Sequence, residues 1–462
     1  MDEVMVSRRR LLKTAAVATT LTPFFVAPVS SSEKQVHEAG YLISSRVKSD
    51  WVSSSCIICG QGCPIKIEVR DGKTIGRILH NEVKGVGKWF AACGRPRSLA
   101  DVWGHPDRIK QPLVRNGPRG SGLFRPASWT EALDLVAENL RKHLSNPEQI
   151  VFFSHQGCEN MIFDELGRAL GTPNVTDHAD TCFHGSAAGR WFLFGRFVGP
   201  GAVYPDYENA QFVVLMGRNP YGGIVAAPWA KVMSIAAGRG TRFVVFDVRF
   251  SDICEVAEKY FIIKPGTDLA VSLAIMREII VHRLYNEEFL NRFTNAAMLL
   301  YAENLEPAKT EPIAEGPKAG KIDYLVYDDE DKKYVLKSLS KRPKLDFAGR
   351  YEGRPVVTVF RLLGDAVKNY TPEWAEEKSG VKADDIRWIA RMLGQYGGRA
   401  FIDPGYKSVR YRNEPMLHRV NALVNVLIGA WGTRGGVAWA RKAAVPVPKP
   451  DGELKYEAAA KC

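Results

Sequence analysis

Three cysteines crowd into eight residues, Cys56-Ile57-Ile58-Cys59-Gly60-Gln61-Gly62-Cys63, and a fourth follows in Cys93-Gly94-Arg95. Thiolates at this spacing curl around a single metal centre, and Gly60 and Gly62 let the backbone approach closely enough for its amides to bond to sulfur. Four thiolates suit tetrahedral zinc or an iron–sulfur cluster, with disulfides as a third use of the same residues. Zinc sites usually pair two short hooks of two cysteines. Here one hook holds three sulfurs and the other a single one, an asymmetry that favours [4Fe-4S].

A fifth cysteine stands in Asp180-Thr181-Cys182-Phe183-His184-Gly185. Asp180 is a candidate cap for a helix beginning at Thr181, which would put Cys182 in the first turn. Unpaired amides and the positive end of the helix dipole would there stabilise the thiolate, the form that binds metal. A buried structural thiol is the alternative. Cys158, in Gln156-Gly157-Cys158, competes with Cys182 as a ligand, whereas Cys254 and Cys462 have no supporting context. His155 and His184 are candidate proton donors, or hydrogen-bonded core histidines.

Such residues need elements to hold them. Ser128-Trp129-Thr130-Glu131 is a capping signature opening a helix with apolar residues Leu133, Val136, Ala137 and Leu140 at helical spacing. Apolar runs at Ile150–Phe153, Phe212–Met216, Phe243–Phe246 and Phe261–Ile263 read as strands, alternating with helical stretches such as Leu269–His282. Alternation of this kind predicts an α/β chain built on parallel sheets with both faces covered. Nucleotides bind at strand ends in such sheets. Gly217, Asn219 and Pro220 follow one strand, Asp247 follows the next, and Gly266, Thr267 and Asp268 precede a helix. Each fragment alone is equally a turn or a cap. Residues 304–337 read as an insertion with a polar hairpin over Tyr324–Tyr334, and Thr371-Pro372 opens a further helix.

Composition sets the outer bounds. The 462 residues carry a formal charge of +12, and 45% hydrophobic with 25% charged residues excludes disorder, collagen and a multi-span membrane protein. Basic residues are scattered without an aromatic-interleaved block, so nucleic acid is not an expected partner. At the N-terminus, Arg8-Arg9-Arg10-Leu11-Leu12-Lys13 precedes a short apolar run ending near Pro28. Residues 1–32 resemble a twin-arginine export signal, a route that carries proteins already folded around their cofactors.

Cys93-Gly94-Arg95-Pro96, His105-Pro106-Asp107-Arg108, Pro112-Leu113-Val114-Arg115 and Ser128 through Leu133 follow one another in an order that resembles the molybdopterin oxidoreductases of dimethyl-sulfoxide-reductase type. The resemblance runs from about residue 50 to about residue 440. It implies a [4Fe-4S] domain over 50–110 with Cys56, Cys59, Cys63 and Cys93 as ligands, then α/β domains over 111–440 and a polar tail over 441–462. It implies molybdenum held by bis(molybdopterin guanine dinucleotide) and by Cys182. The contacts at Gly217, Asn219, Pro220, Asp247, Gly266, Thr267 and Asp268 would go to the dinucleotides, and Arg95 would lie between cluster and pterin.

Val356–Leu363 and Tyr370 through Ala375 look most like the polysulfide, thiosulfate, tetrathionate and arsenate reductase branch. The expected activity is reduction of such a substrate in anaerobic respiration, outside the cytoplasmic membrane. Two partners are expected, a ferredoxin-like iron–sulfur subunit together with a quinone-interacting membrane subunit. Formate oxidation within the family is an alternative, and an iron–sulfur electron-transfer or assembly subunit without working molybdenum is another. The family's C-terminal β-barrel domain is expected to be absent here or supplied by a separate chain.

Overall fold

The computed structural model describes residues 49–56, 58, 62–81, 92–154, 158–178, 182–196, 203–222, 227–313, 320–403 and 411–439. The export signal, Cys59, His155, Cys462 and the polar tail lie outside these residues.

The first unit is an antiparallel sheet of β1 (Ser49–Cys56), β2 (Cys63–Arg70) and β3 (Thr74–His80), in that order. Its register shifts between Ile67 and Val69, a bulge opposite Glu68. The Arg77 amide that leaves the ladder there donates to the buried Glu68 carboxylate at 3.0 Å, and Arg70 Nη2 donates to it at 2.9 Å. Cys56, Cys63, Ile65 and Ile78 form the small core beneath.

α1 (Trp129–Arg141) starts as its sequence demands, with Ser128 Oγ accepting from the Glu131 amide. The Glu131 carboxylate then pairs with Arg125 instead of closing the box. No residue of α1 is buried: its apolar stripe is present, but Leu133 is 61% and Val136 56% exposed. β4 (Phe152–Ser154) and β5 (Val175–Asp177) pair in parallel and are joined by α2 (Cys158–Leu170), whose Phe163 stacks on Phe152.

The main core surrounds a four-stranded parallel sheet: β6 (Phe212–Met216), β7 (Arg242–Asp247), β8 (Lys259–Ile262) and β9 (Ala400–Ile402), in the order β8-β7-β6-β9. Every residue of β6 is buried, as expected for a strand covered on both faces. The sheet grows from β6 through β7 to β8 in one direction. β9, arriving some 180 residues after β6, adds on the other side, so the order reverses between β6 and β9. α4 (Asp268–Val281) and α5 (Glu414–Leu427) pack over this sheet. Asn425 on α5 closes the outer edge of β9: the Ile402 amide donates to Asn425 Oδ1 at 2.8 Å, and Asn425 Nδ2 donates to the Ile402 carbonyl at 2.7 Å.

α3 (His184–Phe194) lies against α5 at very short range. A Cβ on Gly189 would fall 2.1 Å from the Pro415 carbonyl oxygen, and one on Gly185 would fall 2.6 Å from Glu414 Oε2. Two glycines one helical turn apart thus set the approach of the two helices. An antiparallel module occupies Leu299–Tyr301 to Arg354–Thr358, with the hairpin Ile322–Asp328/Lys333–Leu336 inside it. Asp328 organises that hairpin by accepting from the amides of Glu330, Asp331, Lys341 and Arg342. Among the described residues, no helix is long and apolar enough to cross a membrane.

Candidate functional site

Cys56 and Cys63 close the β1–β2 hairpin as a directly opposed pair, and both are buried. His80, at the end of β3, ties the fourth cysteine to the same corner. Its Nδ1 accepts from the Ala92 amide at 3.3 Å and lies 3.2 Å from the Pro64 carbonyl. The chain on either side of that contact carries Cys63 and the exposed Cys93. Arg95 opens the short helical turn Arg95–Ser98 two residues beyond. Among the described residues, no three His, Cys, Asp or Glu side chains form a metal-sized group; Cys59 is not one of those residues.

The strand-end residues expected to contact a dinucleotide do gather at the C-terminal edge of the parallel sheet. Gly217 follows β6 with φ +58°, its amide donating to the Phe246 carbonyl of β7 at 2.8 Å. Gly266 has φ +79° and lies under the Tyr411 ring. Both conformations favour glycine, which puts no side chain of its own over the backbone. Asn219 is occupied within its own loop, donating to Asp252 at 3.2 Å and accepting from the Gly222 amide at 3.3 Å, beside the buried Pro220. Asp247 turns one oxygen back to the Val248 amide. Thr267 stands at the N-cap of α4 without capping it; its hydroxyl donates to the Lys264 carbonyl. Burial raises the pKa of Asp268, and the nearby Asp247 raises it further.

At the reversal between β6 and β9 lies a cluster that motif reading did not assign. Arg218, just after β6, forms an ion pair with Asp403, just after β9, with Nε 3.0 Å from Oδ2 and no aligned hydrogen bond at that nitrogen. The buried Tyr207 hydroxyl donates to the same Asp403 oxygen. Burial opposes the charge on Arg218, but Asp403 and Tyr207 outweigh it and raise the pKa. Burial also raises Tyr207 well above the ordinary phenol range, reinforced by Asp403. Asn421 on α5 is buried there with Oδ1 lacking a hydrogen-bond partner, while its Nδ2 lies 3.7 Å from Met216 Sδ.

Cys182 does not occupy the first turn of a helix. α3 begins at His184, Phe183 is its N-cap, and Cys182 precedes that cap in a turn, 3% exposed and packed with Phe183 and Ala187. The helix starts where Gly185 meets the Glu414 side chain, so the carboxylate of Glu414 sits against the N-terminal end assigned to the thiolate. Asp180 and Thr181 lie outside the described residues. The His184 side chain is exposed, with its ring edge-on to Phe183 at 5.1 Å. α3 is nevertheless joined to the strand-end cluster through Arg190. This guanidinium is 1% exposed, and burial pulls its pKa down to about 10 against the opposing fields of Asp403 and Glu414. On α5, His418 Nε2 stands 3.6 Å from Glu414 Oε1. Cys158 is the first residue of α2, and its side chain is outside the described residues. Cys254 is buried in the main core, with Sγ 3.6 Å from Ser251 Oγ.

Arg190, Arg218 and Asp403 carry no motif in the sequence. The usable signal was strand order, because the ends of β6 and β9 meet only once the sheet is assembled. A separate cavity of about 750 Å³ lies at the other end of α3, lined by Phe194, Phe289, Phe293, Trp431 and Trp439 among other residues, none ionisable. It offers no group for redox or acid–base chemistry.

A family model described as molybdopterin oxidoreductase matches residues 108–450. The thiosulfate reductase molybdopterin-containing subunit PhsA of Salmonella typhimurium is 27% identical over 86% of this chain and 43% of its own length. A sulfite dehydrogenase subunit of Allochromatium vinosum is 30% identical over 74% of this chain and 36% of its own. Dimethyl sulfoxide reductase DmsA of Escherichia coli is 27% identical over 96% and 51%. The chain thus spans about half, or less, of the length of these relatives. Among solved structures, acetylene hydratase from Pelobacter acetylenicus superposes with a TM-score of 0.60 at 20% identity, over 84% of this chain and 44% of that one, a likeness of fold.

Proposed function

The chain belongs to the molybdopterin oxidoreductase family, and on that premise we propose that it is part of the catalytic subunit of a molybdenum–pterin, iron–sulfur oxidoreductase for a sulfur-oxyanion, polysulfide or arsenate substrate. The observation that carries this reading is the reversal of strand order between β6 and β9, the place where open α/β sheets bind ligands. The strand-end loops there offer groups that suit the ribose and base parts of a dinucleotide: carboxylates at Asp247 and Asp268 and the unpartnered Oδ1 of Asn421 would accept from hydroxyl and N–H groups, and Gly217 and Gly266 put no side chain of their own in the way. Arg190, within the field of Asp403, links the helix behind Cys182 to the same strand ends, which supports Cys182 as the protein ligand. Bound there, molybdenum with its pterins would supply two-electron chemistry at oxygen or sulfur.

The chain's own contribution is to hold and insulate. Arg218, Tyr207 and Asp403 fix the two strand ends relative to each other. Phe183 and Ala187 keep Cys182 away from water. Cys56, Cys63 and Cys93, with Cys59, are the ligands for a [4Fe-4S] cluster in a small N-terminal domain, and the exposure of Cys93 suits electron exchange with a partner. Arg95 lies on the path between the two centres. The same reading includes folded export by the twin-arginine route, action at the outer face of the cytoplasmic membrane, and electron exchange with a ferredoxin-like subunit together with a quinone-interacting membrane subunit.

The test is metal analysis of anaerobically purified protein, with turnover assays on thiosulfate, tetrathionate, polysulfide, arsenate and formate. Iron at about four atoms per chain with molybdenum at about one supports the reading. Iron without molybdenum makes the chain an electron-transfer subunit, and zinc with no dithionite-induced paramagnetic signal overturns the cluster.

A further inference from the structure

α3 carries no starting device in its own sequence. Its N-cap is Phe183, whose side chain makes no capping hydrogen bond, and its first turn holds no acidic residue. The first helical bond runs from the Ala187 amide to the Phe183 carbonyl, so the amides before it point out of the helix's own ladder. The Ser186 hydroxyl does not serve them, because it donates to the same Phe183 carbonyl. A negative charge stabilises such an end, and α5 brings one. Glu414, the first residue of α5, is buried against the first turn of α3. A Cβ on Gly185 would fall 2.6 Å from its Oε2 and 2.8 Å from its Cδ, so the carboxylate fills the space that a side chain there would need. The other oxygen, Oε1, lies 3.6 Å from Nε2 of the buried His418, one turn further along α5. The carboxylate is thus wedged between the start of one helix and the second turn of the other.

We propose that Glu414 is a positioning residue, a clamp reaching from α5 that fixes where α3 begins and so holds the turn that carries Cys182, two residues before that start. Glycine at 185 is its counterpart, since any larger residue would displace the carboxylate. His418 keeps the carboxylate from retreating along α5. Arg190, further along α3, lies in the field of the same carboxylate, which gives α3 a second attachment to it. The purpose of the clamp, though not its action, rests on the proposed role of Cys182 as metal ligand. Whatever Cys182 binds, the clamp acts on the helix start.

The test is hydrogen exchange of the full chain as purified, with maleimide labelling of the metal-free protein. Cys254 is the internal reference, because it is buried as well but belongs to the main core. Glu414→Gln keeps the volume and removes the charge. It is expected to speed exchange of the amides of residues 184–187, and labelling of Cys182 relative to Cys254, about three- to tenfold. Gly185→Ala displaces the carboxylate with its charge intact. It should reproduce both changes even though alanine is the better helix former. In a Glu414→Ala background the same alanine should have no such effect, because nothing remains for it to displace. Equal acceleration of Cys182 and Cys254 in Glu414→Gln overturns the proposal, since that is a global loss of stability. So does a Gly185→Ala variant that protects the helix start. Should Glu414→Gln fail to fold, Gly185→Ala decides by the same two readouts. Neither readout depends on molybdenum or turnover, so wild-type protein without molybdenum would end the proposed activity and leave the clamp to be judged separately.

Discussion

Arg218 and Asp403 face each other at 3.0 Å across the ends of two adjacent parallel strands, although 184 residues separate them in sequence. Their pairing defines the point where the sheet changes direction, and Tyr207 makes it a three-membered cluster. Removing either charge leaves its partner charged and largely buried. Asp403→Asn is expected to destabilise the protein by about 3–5 kcal/mol, the range for breaking a buried pair from one side. Chemical denaturation of Asp403→Asn, Arg218→Met and the double variant checks this. The double variant should lose less than the sum of the singles, and strict additivity would show that the two groups do not interact.

Cys182 and the four-cysteine set belong to separate units of the fold. In the proposed function, Cys182→Ala abolishes turnover while the visible absorption and reduced-state paramagnetic signal of the cluster persist. Cys63→Ala should remove the cluster signals. Wild-type turnover in Cys182→Ala would remove that residue from the metal site.

Gly189 governs how closely the Cys182 helix lies on α5. Gly189→Ala places a methyl group 2.1 Å from the Pro415 carbonyl, so the helices must separate. The expected cost is about 1–3 kcal/mol, the range for overpacking a filled contact. Thermal unfolding measures it. Cys182, 3% exposed, should also react faster with a maleimide in metal-free protein, a change that a purely global loss of stability would not confine to this thiol.

Glu68 gives the N-terminal unit a defined acid sensitivity. The Arg77 amide holds its carboxyl down to about 2, with Arg70 assisting against the effect of burial, compared with an ordinary 4.5. Because the folded value is depressed, this stabilisation is complete above about pH 4.5 and disappears as pH falls toward 2. Glu68→Gln should lower stability at pH 7 and flatten the dependence in that window. An unchanged acid-unfolding profile would show that Glu68 contributes nothing there.

Legibility tracked how local each feature was. Phe212–Met216 and Phe243–Phe246 were readable because strands buried on both faces are continuous apolar runs, and Ser128 was readable because a cap is decided within four residues. The glycine-bearing strand ends were readable for the same reason, and they do share one edge. Arg190, Arg218 and Asp403 were not, because nothing in sequence places β9 beside β6. The start of α3 was misjudged for a related reason: Asp180 has capping chemistry, but the contact of Gly185 and Gly189 with Glu414 and Pro415 accompanies a start at His184. In α1 the apolar stripe is legible in the sequence, whereas among the described residues nothing covers it.

Asn425 imitates a neighbouring peptide group, offering Ile402 one acceptor and one donor at ordinary strand-pairing distances. The central sheet therefore ends at β9 by saturation of its hydrogen bonds and does not depend on a charged or irregular border. A foreign strand seeking to extend the sheet on that side must first expel a fully buried amide held by a helix. That barrier protects the C-terminal end of β9 from self-association even though the strand itself is short, apolar and entirely uncharged.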